Sequence, residues 1–227
     1  MKAVTAKNSS RDAILRAAER VFGALGYHGA SMREIAMEAK VAQALLHYHF
    51  KTKEALYVAI FEQRSQLIND RRQARLAELR KKGAFDLRAV VEVFALPAPD
   101  MFDDPRQNYE SYQQMAAAVS VGHDARSVAL VKSCYDGISK QFIDAFMAAV
   151  PELTKAAATW CYLYALGIRR QAELQTDRAA RLSGGKNPSP PAWLVAFIEA
   201  GILSIAQTSA GKKKTAKGRA PTKRKPQ

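Results

Sequence analysis

Residues 31–53 read S-M-R-E-I-A-M-E-A-K-V-A-Q-A-L-L-H-Y-H-F-K-T-K. Ser31 and Glu34 have the three-residue spacing of a capping box, which marks the start of a helix. A break at positions 40–41 separates this short helix from a second one, predicted over positions 42–48. The stretch therefore predicts two short helices joined by a tight turn, the arrangement called a helix-turn-helix.

The second helix is predicted to have one buried face and one outward face. Leu46 and Phe50 are four residues apart and are expected to point inward. The outward positions are then Gln43, Ala44, His47 and Tyr48. Gln pairs with adenine, Ala contacts the thymine methyl group, and His donates to guanine acceptors. The next helix is predicted to start near Thr52 and Lys53. Its cation and its free backbone N–H groups are expected to bind phosphate oxygens. This combination predicts an element that reads bases in the DNA major groove.

A longer block, from Ile14 to Phe61, resembles the TetR family of bacterial transcriptional regulators. The resemblance rests on A-x-x-V-F at 18–22, G-Y-x-G at 26–29, S-M-R-E-I-A at 31–36 and L-L-H-Y-H-F-K-T-K-E-A-L-Y at 45–57. It implies a three-helix DNA-binding head on a helical body that binds an effector and dimerises. The implied DNA-binding residues are Ser31, Arg33, Gln43, Ala44, His47, Tyr48, His49 and Lys53.

Three positions depart from the family pattern. Lys40 stands where the family usually has Gly, so this residue is expected to adopt a positive φ. Ala42 replaces a common Ser, which removes a helix cap and about 1 kcal/mol of local stability. His47 replaces a common Tyr. The DNA sequence that relatives bind therefore does not transfer to this chain.

The whole chain is predicted to be all-α. Ser9 and Asp12 suggest the start of the first helix, and Gly26 is expected to end it. A long helix follows Lys53 and ends at Gly83, and further helices are expected near 86–96, 106–121, 125–149, 152–182 and 191–209. The predicted domains are a head over 8–68 with its helix-turn-helix at about 31–50, a helical body over 69–210, and a disordered basic tail over 211–227.

The body is expected to hold an effector pocket and a dimer interface. The pocket candidates are Phe94, Met101, Phe102, Tyr109, Tyr112, Met115, Phe142, Trp160, Tyr164 and Arg169. Aromatic residues at helical spacing also occur as ordinary core, and that alternative stays open. The dimer candidates are Leu163, Leu166, Trp193, Leu194, Phe197, Ile198, Gly201, Ile202 and Ile205. The same stripe would also suit packing against its own core.

Composition limits the alternatives. The formal net charge of +14 suits a polyanionic partner, and the last 17 residues hold eight of the cations. A second hypothesis is therefore a sequence-independent protein that coats DNA through charge. No apolar run is expected to cross a membrane, and no secretory signal is evident, so a cytoplasmic protein is expected. Cys134 and Cys161 lack metal-ligand spacing, and no catalytic triad is apparent. We therefore expect no metal, no cofactor and no enzyme activity.

Overall fold

The computed structural model describes residues 2–83, 85–98, 109–185 and 190–217, with side chains described within 10–208. These residues form an all-α structure without strands. The helices are α1 (Lys2–Gly29), α2 (Met32–Glu38), α3 (Gln43–His49), α4 (Lys53–Lys81), α5 (Leu87–Ala95), α6 (Tyr109–Val121), α7 (Ala125–Cys134), α8 (Asp136–Ala149), α9 (Lys155–Leu174), α10 (Thr176–Ser183) and α11 (Pro191–Lys217). The predicted fold class is confirmed.

The chain forms two compact units, of which the first comprises 1–74 and 97–138. Its core joins the helix-turn-helix to the flanking helices through buried apolar side chains: Ile14, Ala18, Phe22, Ile35, Leu46, Leu56, Ile60, Phe61, Met115 and Leu130. Helices α1 and α6 approach closely at Gly23. A Cβ at this position would lie only 2.6 Å from Ser111 Cβ, so a larger residue would not fit. Gly26 breaks the α1 helix with a φ of 70°.

The second unit comprises 75–96 and 139–227. Its core is built mainly from α5, α8, α9 and α11, and α11 packs against both α5 and α9, whereas α10 has no buried residue. The buried side chains include Leu76, Val90, Val91, Phe94, Phe142, Phe146, Ala158, Cys161, Tyr162, Ala165, Val195, Ile198 and Ile202. Thr154 caps α9 by accepting a hydrogen bond from Ala157 N at 3.2 Å.

The predicted helix limits needed several corrections. Helix α1 begins at Lys2 and not at Ser9. The helix expected over 125–149 is divided at Tyr135, and the one over 152–182 at Gln175, where the backbone leaves the helical region. Helix α11 extends to Lys217, into the segment from 211 that is predicted to be disordered, and the remainder of the tail lies outside the described residues.

The compact units also divide the chain differently from the predicted domains. The predicted head, 8–68, lies within the first unit, but α6 and α7 belong to that unit as well. The sequence places both helices in the predicted body, because it does not show which distant helices pack together. The functional domain limits therefore remain predictions.

One helix is more apolar than the sequence analysis expected. Pro191–Thr208 has a mean hydropathy of 1.3, and its length and composition suffice to cross a membrane. This segment contains Glu199, whose carboxylate pairs with Arg88 at 3.1 Å. Its apolar residues lie on two faces, since Val195, Ile198 and Ile202 are buried while Trp193 and Phe197 are exposed.

Candidate nucleic-acid interface

The first helix of the helix-turn-helix is fixed at its start by the predicted capping box. Ser31 Oγ accepts a hydrogen bond from Glu34 N at 3.2 Å, and Glu34 Oε2 accepts one from Ser31 N at 2.8 Å. Hydrogen bonding of the Glu34 carboxylate to Ser31, first to its side chain and then to its backbone, lowers the pKa of Glu34. The reciprocal pair sets the direction in which α2 leaves the preceding chain.

The turn between the two helices is a Schellman motif. Val41 N donates to Ala36 O at 3.0 Å, and Lys40 N donates to Met37 O at 3.1 Å. Lys40 has a φ of 54°, so the prediction of a positive φ at this position is confirmed. The motif satisfies carbonyl groups at the end of α2 and turns the chain toward α3.

Helix α3 has the two faces that the sequence predicted. Leu46 and Phe50 are 0% and 5% exposed, and both belong to the core of the first unit. Ala42 occupies the N-cap position and supplies no side-chain hydrogen bond. The side chains on the opposite face are exposed: Gln43, Ala44, His47 and Tyr48. The scaffold therefore presents amide, methyl, imidazole and phenol groups on one accessible surface.

Two further predicted DNA contacts are engaged within the unit. His49 is half-buried, and its Nε2 lies 3.1 Å from Ser10 Oγ on α1. Lys53 Nζ donates to Ala30 O at 3.0 Å and lies 4.5 Å from the ring centroid of Tyr27. Both residues thus hold helices together, a structural role that the sequence analysis missed. No sequence pattern indicates the contact between Ser10 and His49, because the two residues are 39 positions apart in the chain.

The surroundings of α3 carry more positive than negative groups. Residues 31–53 contain four Lys or Arg and two Glu, and Arg33, Lys40 and Lys51 are exposed. Glu38 is paired with Arg20 at 2.8 Å. Thr52 Oγ1 accepts a hydrogen bond from Ala55 N at 3.0 Å, which caps the start of α4. The local charge suits a phosphate backbone beside α3.

The predicted pocket residues do not form one cluster. Tyr109, Tyr112 and Met115 belong to the first unit, where Tyr112 packs 5.6 Å from the ring of Phe61. In the second unit, Phe94, Phe142 and Arg169 lie together among buried aromatic rings. Trp160 and Tyr164 are 56% and 54% exposed on the other face of α9. Met101 and Phe102 lie outside the described residues.

An open apolar groove of about 470 Å³ lies between α9 and α11 in the second unit. It contains six of the nine dimer candidates: Leu163, Phe197, Ile198, Gly201, Ile202 and Ile205. Trp193 is 69% exposed on the same face of α11 as Phe197, while Leu166 and Leu194 are half-buried. Both helices therefore present apolar side chains to solvent. Within the described residues, no cluster of three or more His, Cys, Asp or Glu is placed to hold a metal ion.

Two family models match the chain, and both describe the same group of proteins. Residues 14–60 match the model "Bacterial regulatory proteins, tetR family", and residues 92–201 match "Tetracyclin repressor-like, C-terminal domain". The first match contains the whole helix-turn-helix, and the second contains the end of α5, all of α6 to α10 and part of α11.

Individual proteins of similar sequence or structure include two that are named as transcriptional regulators and one that is named as a multidrug binding protein. The transcriptional activator FasR of Mycolicibacterium smegmatis is 33% identical over 128 residues, which cover 52% of this chain and 56% of FasR. The chain thus matches about half the length of that relative. The hemolysin II regulator HlyIIR has a TM-score of 0.58 at 22% identity, covering 86% of this chain and 97% of HlyIIR. EbrR, solved with malachite green, has a TM-score of 0.57 at 21% identity, covering 83% and 95%. Both structural matches show the fold.

Proposed function

Because the chain belongs to the TetR family of bacterial regulatory proteins, we propose that it is a sequence-specific DNA-binding transcriptional regulator. The family consists of regulators and not of enzymes. In this proposal α3 enters the major groove, while the residues around it contact phosphates.

The observation that carries the proposal is the exposed face of α3. Gln43 and His47 are one helical turn apart and accessible, and Leu46 behind them is fully buried. A rigid helix with hydrogen-bonding side chains on its free face is what base recognition requires. Arg33, Tyr48 and Lys53 are proposed to contact the phosphate backbone of the DNA. The same contact is proposed for Ser31 and His49.

We propose that the protein acts as a homodimer on a palindromic operator. The exposed apolar face of α9 and α11 supports this assembly, because pairing with a second copy would bury Leu163 and Phe197. A two-fold axis would relate the two copies and set their recognition helices about 34 Å apart, one turn of DNA.

We propose that a small-molecule effector binding to the second unit releases the dimer from its operator in the cytoplasm, so that the protein acts as a repressor. The structure of EbrR with malachite green supports a small ligand in this fold. FasR is named an activator, so the opposite direction of control exists among the relatives. A reporter gene downstream of the operator measures the direction: deletion of this protein raises expression under the repressor proposal.

The experiment that tests the proposed DNA recognition is selection from a random DNA library with the full chain. The expected result is enrichment of one palindromic sequence, bound by two copies of the chain. Enrichment of no sequence, with affinity that depends only on salt, would instead support the DNA-coating hypothesis. Deleting 211–227 adds a control: sequence-specific binding survives that deletion with a smaller salt dependence, whereas charge-driven coating is lost.

A further inference from the structure

One buried cation in the second unit has no anionic partner among the residues that the structure describes. Arg169 lies on the inner face of α9 and is 8% exposed, and its Nε has no hydrogen-bond partner. Among the residues that the structure describes, no carboxylate forms an ion pair with it, and this includes Glu173, one helical turn further along α9. By contrast, Arg88 in the same unit pairs with both Glu92 and Glu199.

The surroundings of Arg169 are mainly aromatic. Its guanidinium carbon lies 5.4 Å from the ring centroid of Phe94. The Phe94 ring packs 5.3 Å from Phe142 and 5.6 Å from Tyr162. Tyr162 also shares a hydrogen bond of 2.7 Å with Ser139 Oγ, so a hydroxyl pair lies on the same aromatic cluster. These residues bring together one guanidinium that no described carboxylate pairs with, apolar rings and two hydroxyl groups.

The described neighbours of Arg169 compensate its charge only in part. A cation above an aromatic ring gains some electrostatic stabilisation, but burying a charge without a counter-ion costs more than such a contact returns. A guanidinium has five N–H donors in a planar fork that matches a carboxylate. An anion placed at Arg169 would satisfy these donors, whereas a cationic ligand would be repelled.

We propose that Arg169 is the counter-ion of a small organic carboxylate, whose apolar part lies against the aromatic cluster of Phe94, Phe142 and Tyr162. The proposal rests on the proposed function in one respect, since this carboxylate is the effector that alters DNA binding. The site itself is defined by Arg169 and its neighbours in the second unit, so binding of the carboxylate is measurable without DNA.

The test compares carboxylates with uncharged amides of the same shape. Phenylacetate and hexanoate, with phenylacetamide and hexanamide as controls, are titrated against the full chain while its melting temperature and binding heat are followed. The carboxylates are expected to raise the melting temperature, and the amides are not. Arg169→Met should weaken carboxylate binding by about 10-fold to 100-fold, the effect of losing a charge-assisted bidentate pair. Arg181→Met removes an equal charge from exposed α10 and should leave binding unchanged.

Three results would overturn the proposal: no carboxylate binds at millimolar concentration, the amides bind equally well, or Arg169→Met keeps full affinity. The melting temperature of Arg169→Met without ligand gives an independent test. Removing a buried charge that no described carboxylate compensates should leave this temperature equal to that of the wild type or raise it. A large drop would show that Arg169 is only a structural residue. Arg169→Lys keeps the positive charge but lacks the planar guanidinium that binds a carboxylate through two hydrogen bonds. This variant should bind carboxylate with intermediate affinity.

The same carboxylate is then added to the protein bound to its selected DNA. Release of the DNA supports both the site and the proposed regulation. Carboxylate binding that depends on Arg169 but leaves the DNA complex intact supports the anion site and contradicts its role as an effector site. Failure to select any DNA contradicts the proposed function and leaves the binding measurement standing.

Discussion

The guanidinium carbon of Arg126 lies 3.5 Å from the ring centroid of Tyr27. Arg126 belongs to α7, and Tyr27 follows the break in α1 that leads into the helix-turn-helix. Arg126 Nη2 also donates to Asp124 Oδ1 at 3.2 Å, and Asp124 caps α7. Hydrogen bonds from Ser127 lower the pKa of Asp124 to about 2, so this carboxylate stays charged at neutral pH. The contact connects α7 with the helices that carry the proposed DNA-reading surface.

The first prediction concerns this contact between Arg126 and Tyr27. A double-mutant cycle with Arg126→Met and Tyr27→Leu should give a coupling energy of about 1 kcal/mol, because the cation and the ring stabilise each other. Urea unfolding of the wild type, both single variants and the double variant measures this energy. The effects of the two substitutions would simply add if the stacking contributed nothing.

The second prediction concerns pH and Glu19. Burial raises the pKa of Glu19 to about 7, against the opposing influence of Arg64, whose Nε lies 3.4 Å from Glu19 Oε2, and of Arg20. A raised folded-state pKa means that the unfolded chain loses this proton first as pH increases. The Glu19 contribution to stability therefore falls between about pH 4.5 and pH 7, by roughly 3 kcal/mol.

Glu19→Gln removes the titration, so the free energy of unfolding of this variant should rise relative to that of the wild type as pH increases from 4.5 to 8. Chemical unfolding at several pH values measures the difference between the two proteins. A difference that stays constant across this range, or that changes in the opposite direction, would show that Arg64 governs Glu19 and burial does not.

The third prediction concerns the missing cap of α3. Ala42 has the extended backbone of an N-cap residue, with a φ of −63° and a ψ of 140°. Ala42→Ser should therefore stabilise the first unit by about 1 kcal/mol, since the new hydroxyl accepts a hydrogen bond from the first turn. Thermal unfolding checks this. Ala44→Ser places the same residue inside the helix and should give no stabilisation, so equal gains in both variants would contradict the explanation.

The fourth prediction concerns the exposed face of α9 and α11. Phe197→Asp should convert the dimer to a folded monomer, because a charge would replace an exposed ring that the second copy is proposed to cover. Sedimentation velocity at micromolar concentration measures the change, and circular dichroism checks that helix content persists. Leu182→Asp changes another exposed apolar residue of the same unit, on α10, and should remain dimeric. A monomeric wild type would refute the interface.

The local features of the head were predicted correctly because short-range chemistry determines them. The capping box at Ser31 and the positive φ of Lys40 each involve residues within a few positions of each other. The two faces of α3 follow from the spacing of Leu46 and Phe50. Such patterns are visible in a sequence without knowledge of the rest of the fold.

Contacts between distant parts of the chain could not be predicted from the sequence. Tyr112 and Trp160 were both assigned to the pocket, but the first is in the core of unit 1 and the second is exposed in unit 2. Helical spacing shows which residues share a face and does not show what that face contacts. The pairing of His49 with Ser10 likewise depends on tertiary packing.

The most direct measurement of the central claim compares two double variants on the selected palindrome and on unrelated DNA. Gln43→Ala/His47→Ala should lower the ratio of specific to nonspecific affinity by about 100-fold or more, because both lost side chains are proposed to contact bases. Gln63→Ala/His123→Ala removes the same residue types from exposed positions outside α3 and should preserve the ratio. If the first variant keeps the wild-type ratio, the exposed face of α3 does not read the DNA sequence.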